Sequence, residues 1–342
     1  MGRKKKVSMQ DIADRLQISK NAVSLALLNK KGVSEEMRSR VLRTAKELGY
    51  GPFALKPPDS NNILVLVPER IMSYQDNDHF QFFHDLIWGL EKSIRSKGMN
   101  AVIAPIGREM ESRLQLPQHC TDIAYQGIIL FGIVDKAYAR LVWELDAPLV
   151  MLDSYHRELP CPVVCSANIA GAAEAVSVLI RAGHRDIGFI GPTNLTTSHE
   201  ERWFGYWKAM QDQGLRIEER FILTTSRSFD CTEQEIDRFL QGLSCWPSAF
   251  FCGNDRIAYL LAQQLQNRGL WVPSDVSIVG FDDLNYEGGL KGRLTTMRVE
   301  KERMCDAAAQ LLLSLPGGCR EAVRVEIPAT LVQRDSVRVI EP

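Results

Sequence analysis

Beyond residue 62, short apolar runs alternate with longer amphipathic stretches, and this rhythm restricts the fold more than any other feature. The runs span residues 63–68, 100–105, 127–132, 148–153, 187–191, 221–225, 249–252 and 276–281. Between them lie stretches with helical spacing, such as 79–97, 168–182, 198–213, 255–268 and 301–315. In the second of these, Ile169, Ala172, Ala173, Val176, Leu179 and Ile180 fall on one stripe. A run of four to six apolar residues without alternation is a strand buried on both faces. Strands alternating with helices give parallel sheets covered on both sides. Eight such strands in about 280 residues predict two doubly wound lobes, with a cleft at the carboxyl ends of the strands.

The first fifty residues follow another rule. Met9–Leu16 places Ile12, Ala13 and Leu16 on one face, residues 17–19 make a turn, and residues 20–28 form a second helix that Ser19 can cap. Ser34 can cap a third, in which Met37, Val41, Ala45 and Leu48 recur before Gly49 stops it. Residues 51–62 are rich in proline, glycine and polar side chains and read as a linker. The expected organisation is therefore a three-helix head over 1–50, a linker over 51–62 and a two-lobed body over 63–342.

Charge divides the chain at the same place. Residues 1–56 hold 13 basic and 5 acidic side chains; of the chain's 41 basic and 42 acidic groups this leaves 28 and 37 for the rest, so a head of +8 sits on a body of −9. A basic head suggests a polyanionic partner. A helix, a tight turn and a second helix in twenty residues suggest a helix-turn-helix, whose second helix enters the major groove of DNA. At its start Lys20 can bond guanine or phosphate, and Asn21 can bond adenine through two hydrogen bonds. Ser19 and Ser24 suit phosphate.

Other classes find little support. No segment reaches the roughly 18 uninterrupted apolar residues of a membrane helix. The basic N-terminus lacks a following apolar stretch, so export is not expected and the cytoplasm is. The eight cysteines form no C-x-x-C pair and no His joins them at ligand spacing, so free thiols and no metal or cofactor are expected. No G-x-G-x-x-G after a strand, no P-loop and no G-x-S-x-G occurs, and Ser198-His199 has no third group to orient it; an enzyme is therefore not expected. The rival readings are an α/β enzyme and a sugar-binding protein with a non-regulatory basic head.

Residues 8–13, 18–24, 33–36 and 48–50 together resemble the head of the lactose-repressor/galactose-repressor (LacI/GalR) transcription factors. The likeness continues through Asn168-Ile169-Ala170-Gly171, Gly183-His184-Arg185, Glu201-Arg202, Gly205-Tyr206, Asn254-Asp255, residues 272–276, Gly280-Phe281-Asp282-Asp283 and Leu294-Thr295-Thr296. It covers nearly the whole chain in the family's order. The resemblance implies a periplasmic-binding-protein-like body and a regulator, expected to be a repressor. It also implies a homodimer on a pseudo-palindromic operator and a small-molecule effector, of carbohydrate type, between the lobes. A dimer is favoured over a tetramer because no heptad tail follows.

Carried over by residue, the resemblance puts Ser8, Ser19, Ser24, Ser34 and Tyr50 at DNA-backbone positions and Lys20 and Asn21 at base-reading ones. Leu25 stands where the family usually has Arg, which exchanges a guanine bond for contact with a thymine methyl. Effector roles fall on Arg108, Asp153, Ser198, Arg202, Phe229, Asn254 and Asp282, with Arg202 forking across two ligand oxygens and Asp282 accepting from hydroxyls. Asp255 and Asp283 read as caps or interlobe contacts, and His184 as a structural group. Ala167 replaces a usual Asp, and Val299 a usual Gln or Glu; the loss of a hydrogen-bonding group at Val299 predicts a more apolar side of the pocket and a ligand that is a less hydroxylated sugar, a sugar bearing an apolar group, or no sugar. The family's hinge helix opens at the equivalent of Pro52 and its minor-groove Leu falls at Asp59 here, while Pro57-Pro58 forbid a helix running through, which predicts a stiff extended linker without a wedge and little DNA bending.

Overall fold

The computed structural model describes residues 7–27, 32–48, 50, 60–72, 80–145, 147–284, 286, 288–315 and 321–341. The expectations about the Pro57-Pro58 linker and Asp59 lie outside them.

Three helices form the head: α1 (Met9–Leu16), α2 (Lys20–Leu27) and α3 (Glu35–Leu48). Their apolar faces close on Ile12, Ala13, Val23, Ala26, Val41 and Ala45. Each helix starts where a serine caps it. Ser8 and Asp11 make a reciprocal capping box, Ser19 Oγ accepts from the Ala22 N–H at 3.1 Å, and Ser34 Oγ accepts from the Met37 N–H at 3.2 Å.

The body holds two six-stranded sheets. The first lobe runs β1 (Asn62–Pro68), α4 (Phe80–Ser96), β2 (Asn100–Ile106), α5 (Arg108–Ser112), α6 (His119–Asp122), β3 (Gly127–Phe131), α7 (Lys136–Trp143), β4 (Leu149–Leu152) and β5 (Val163–Ser166). The second runs α8 (Asn168–Arg181), β6 (Ile187–Ile190), α9 (Thr197–Asp212), β7 (Ile222–Leu223), α10 (Thr232–Gln241), β8 (Ala249–Cys252), α11 (Asp255–Gln266), β9 (Ser277–Asp282) and β10 (Thr295–Arg298). The chain then returns: α12 (Lys301–Ser314) packs on α4 and the first sheet, β11 (Arg324–Ile327) joins that sheet, and β12 (Thr330–Val332) joins the second.

Sheet order is β11-β5-β4-β3-β1-β2 in the first lobe and β12-β10-β9-β8-β6-β7 in the second. Every pairing is parallel except β10 with β12. The chain therefore crosses between lobes after β5, after β10 and after β11. One apolar cluster continues through both lobes, from Ile63 and Phe131 to Phe189 and Phe281, with Val299 in one crossover and Ile327, the end of β11, at the start of another. Separate clusters fill the outer faces of each sheet.

Two expectations need correcting. The described residues contain twelve strands, not eight. Ile169, placed on the apolar stripe of α8, is 41% exposed: the buried face is centred on Ala172, Ala175, Val176 and Leu179, and Ile169 lies on its flank with the half-buried Ala173 and Ile180.

Candidate DNA-reading surface and interlobe site

In the head, α2 turns Val23 and Ala26 inward, which leaves Lys20 and Asn21 exposed at its amino end and Ser24 half-buried one turn on. Leu25 is also half-buried; its Cδ1 comes within 3.3 Å of an ideal Cβ on Gly32, whose φ of +117° suits glycine alone. Tyr50 donates its backbone N–H to Ala45 at 2.8 Å and packs on the head core. Ser8, Ser19 and Ser34 are exposed while serving as caps. The eight residues assigned to DNA thus comprise exposed helix starts, two half-buried α2 side chains and one packed tyrosine.

The second surface lies at the strand ends between the lobes. Asp153 follows β4, Asp282 ends β9 and Asp283 follows it, with φ of +76°, +115° and +58°. Residues other than glycine adopt such angles infrequently, aspartate and asparagine more readily than most; three together at the strand ends set these carboxylates apart. Arg202 on α9 is 5% exposed and lies 3.8 Å above the Phe281 ring. Its Nε donates to Asn168 Oδ1 at 3.0 Å, one terminal nitrogen to the Gly253 carbonyl at 2.7 Å, and the other approaches Asp282 Oδ1 at 3.1 Å. The last contact is an ion pair out of hydrogen-bond alignment, because Asp282 Oδ1 is buried without a hydrogen bond. Nε and one terminal nitrogen are thus hydrogen-bonded to protein and the other is held by an ion pair, which leaves N–H groups on both terminal nitrogens for a ligand.

The carboxylates feel one another. Burial raises Asp153 to about 7, with Asp282 adding to the shift and Arg202 opposing it. Burial likewise raises Asp282, against Arg202 and Lys301. Among the described residues the Asp153 carboxylate takes part in no hydrogen bond or ion pair, so its acceptor sites are open. Asp255 and Asp283 are neither caps nor interlobe contacts; both brace the second lobe internally. Asp255 accepts from Thr296 Oγ1 at 2.6 Å and the Leu284 N–H at 2.7 Å. Asp283 pairs with Arg298 and Arg334, both at 2.7 Å, and these bonds lower its carboxyl despite burial.

The remaining assigned residues surround this centre unequally. Asn254, 4% exposed, caps α11 by accepting from the Ile257 N–H at 2.9 Å. Ser198 is half-buried in the first turn of α9, its Oγ 3.0 Å from the capping Thr196 hydroxyl. The half-buried Phe229 ring lies 6.3 Å from the His199 ring. Arg108 stands exposed at the start of α5, at the end of β2. Val299 is 2% exposed and sits in the continuous core; it is packing across a crossover rather than a pocket wall, which corrects that expectation. His184 is buried between Ser248 Oγ at 2.9 Å and the Arg338 carbonyl at 3.2 Å, a structural role.

Four residues with no role assigned from sequence prove central: Asn168, Glu201, Tyr155 and Arg324. Glu201, 2% exposed, accepts from the Tyr155 hydroxyl and from Arg324, and at 3.0 Å from Asn168 Nδ2. Only adjacency to Arg202 in the motif hinted at Glu201. Among the described residues no group of three or more His, Cys, Asp or Glu is placed to hold a metal, and no helix is long and apolar enough to cross a membrane.

Residues 8–52 match the family model for bacterial regulatory proteins of the lacI family, and residues 176–337 match that for a periplasmic binding protein-like domain. The chain belongs to the LacI family. It is similar to the ribose operon repressor of Haemophilus influenzae, 28% identical over 335 residues, covering 96% of this chain and 98% of the relative. It is also similar to the transcriptional repressor CytR of Escherichia coli, 29% identical over 312 residues, covering 90% and 89%. Among solved structures, the regulator CelR in complex with cellobiose superposes with a TM-score of 0.69 at 23% identity, covering 97% of this chain and all of that one; this likeness concerns the fold. As a LacI-family member the chain is a DNA-binding transcriptional regulator and not an enzyme.

Proposed function

We propose that the chain is a repressor that binds a pseudo-palindromic operator as a homodimer and is controlled by a neutral, hydroxyl-rich metabolite of the sugar class bound between its lobes. In this reading residues 1–50 meet DNA, 51–62 join and 63–342 sense and dimerise. Lys20 and Asn21 read bases, with Leu25 beside a thymine methyl. Ser8, Ser19, Ser24, Ser34 and Tyr50 hold the phosphates; the helix starts that the three capping serines mark suit anions in their own right.

The open Asp153 carboxylate beside Asp282 carries the effector reading. Two carboxylates against one guanidinium already hydrogen-bonded at two nitrogens and ion-paired at the third make a site rich in acceptors and short of donors. Hydroxyls donate and accept, so a polyol satisfies it; a carboxylate or phosphate only accepts and meets like charge. Asp153 and Asp282 then accept from hydroxyls, the spare N–H groups of the Arg202 terminal nitrogens donate, and Phe229 offers an apolar face. Ser198 and Arg108 contribute at the rim, and Asn254 acts by holding the Gly253–Asp255 turn. The relatives named for ribose and crystallised with cellobiose agree with this class.

Effector and operator must then change each other's affinity by one common factor. Calorimetric titration with ribose, cytidine and cellobiose beside ribose 5-phosphate and glucuronate tests the ligand class. Heat from a neutral compound, abolished by Asp153→Asn, is expected. Tight binding of an anionic member with no neutral counterpart bound would reverse the assignment.

A further inference from the structure

The bonds around Glu201 join the lobes. Tyr155 follows β4, and Arg324 begins β11, which pairs with β5; both belong to the first lobe. Glu201 lies on α9 of the second. Its Oε1 accepts from the Tyr155 hydroxyl and from Arg324, while Arg324 also donates to the Tyr155 oxygen at 2.6 Å and sits 4.7 Å above the same ring. Three groups from two lobes thus close a triangle around one buried carboxylate.

The other carboxylate oxygen points back into the second lobe. It accepts from Asn168 Nδ2 at 3.0 Å, and Asn168 Oδ1 accepts from Arg202 Nε at 3.0 Å. Asn168 is 3% exposed, and its two ends are not interchangeable: the amide nitrogen faces a carboxylate and the oxygen faces a guanidinium, so the side chain has one satisfactory orientation. An unbroken line runs Arg324/Tyr155–Glu201–Asn168–Arg202–Asp282. At the rim Arg157, two residues beyond Tyr155, pairs with Glu200 at 2.9 Å and adds to the same seam.

We propose that Glu201, Tyr155 and Arg324 form an interlobe clasp that holds the cleft closed through the protein's own bonds and, through Asn168, sets the orientation of Arg202. Glu201 and Arg324 are then positioning residues. If the lobes part, Glu201 loses the donors on one side, Asn168 loses its anchor, and Arg202 is freed to pivot from Phe281. Lobe separation and the state of the guanidinium are one mechanical event. The regulatory meaning rests on reading the cleft as the effector site, but the test below requires no effector, so the two can fail separately.

The full chain is compared with Glu201→Gln, Arg324→Met, their combination, and Tyr155→Phe, which removes one oxygen and preserves the fold. Small-angle X-ray scattering measures lobe closure, and hydrogen exchange measures segments 153–157 and 197–204. The Arg202 Nε–H resonance, assigned by its loss in Arg202→Lys, reports the far end of the line. Each single variant is expected to raise the radius of gyration and to speed exchange at both rims by roughly tenfold to a hundredfold, the loss of one or two charge-assisted hydrogen bonds. Each is also expected to move or broaden the Arg202 signal, with Tyr155→Phe the mildest. The combination should do no more than the stronger single change, because one unit has been broken. An unmoved Arg202 signal, exchange altered only beside the substituted residue, or additive effects in the combination would overturn the clasp.

Discussion

Asparagine in place of Asp153 removes a titrating carboxylate from the cleft while keeping the shape of the side chain. Burial, reinforced by Asp282, raises Asp153 to about 7 in the folded protein, whereas an unfolded aspartate titrates near ~3.9. The native state holds this proton more tightly than the unfolded one. Its contribution to stability is therefore full below about pH 4 and is lost as pH rises through about 7. The gap between about 7 when folded and ~3.9 when unfolded, at ~1.36 kcal/mol for each tenfold change in proton affinity, sets an upper limit of about 4 kcal/mol. Asp153 is only partly shielded at the cleft, and solvent screening reduces this to roughly 1–2 kcal/mol. Urea unfolding followed by tryptophan fluorescence at pH 4.5 and 7.5 measures it. Wild type should lose about 1–2 kcal/mol relative to Asp153→Asn over that interval. Parallel pH dependences for the two proteins would refute the assignment of a strained, open carboxylate and, with it, the charge argument for a neutral effector.

Three further outcomes follow from the same geometry. Asn254→Ala leaves the Ile257 N–H of α11 without its cap and should cost about 1 kcal/mol, a fall in Tm of about 2–4 °C, while Asn254→Ser should recover most of it; equal losses in a thermal scan would mean that the cap is not what Asn254 supplies. Gly205 lies where α9 meets α8, and an ideal Cβ there stands 2.3 Å from the Ile169 carbonyl oxygen; Gly205→Val should therefore cost more than about 3 kcal/mol, and a urea midpoint close to wild type would contradict the packing. Leu25→Arg should move the base preferred at one position of the half-site toward guanine, and an unchanged consensus in a binding selection would remove Leu25 from the reading surface.

Much of the architecture was legible because the strands are buried on both faces and so appear as unbroken apolar runs, as in β1 and β8. The head helices were legible for another reason: Ser8, Ser19 and Ser34 announce their starts and do cap them. β10 escaped notice because it is polar yet buried. Thr295 and Thr296 satisfy their hydroxyls with the Arg334 carbonyl and Asp255, so apolar content is a poor guide there. β11 alternates exposed and covered residues at a sheet edge and reads like a loop. Nor does periodicity reveal to which lobe an element belongs. Arg324 and Glu201 are 123 residues apart and meet only because the chain returns to the first sheet after visiting the second. The convergence of Asp153, Arg202 and Asp282 was suggested by strand ends and by family resemblance; the prior engagement of Arg202 by Asn168, Gly253 and Asp282 depends on side-chain geometry that no spacing encodes.

Selection of random duplexes by the purified full-length protein, repeated across salt concentrations, tests most directly whether a base-reading head is joined to this body. An inverted-repeat consensus is expected, with half-sites about one helical turn apart and affinity falling steeply with salt as phosphate contacts release counterions. Enrichment of no sequence over the starting pool at low salt would contradict the account.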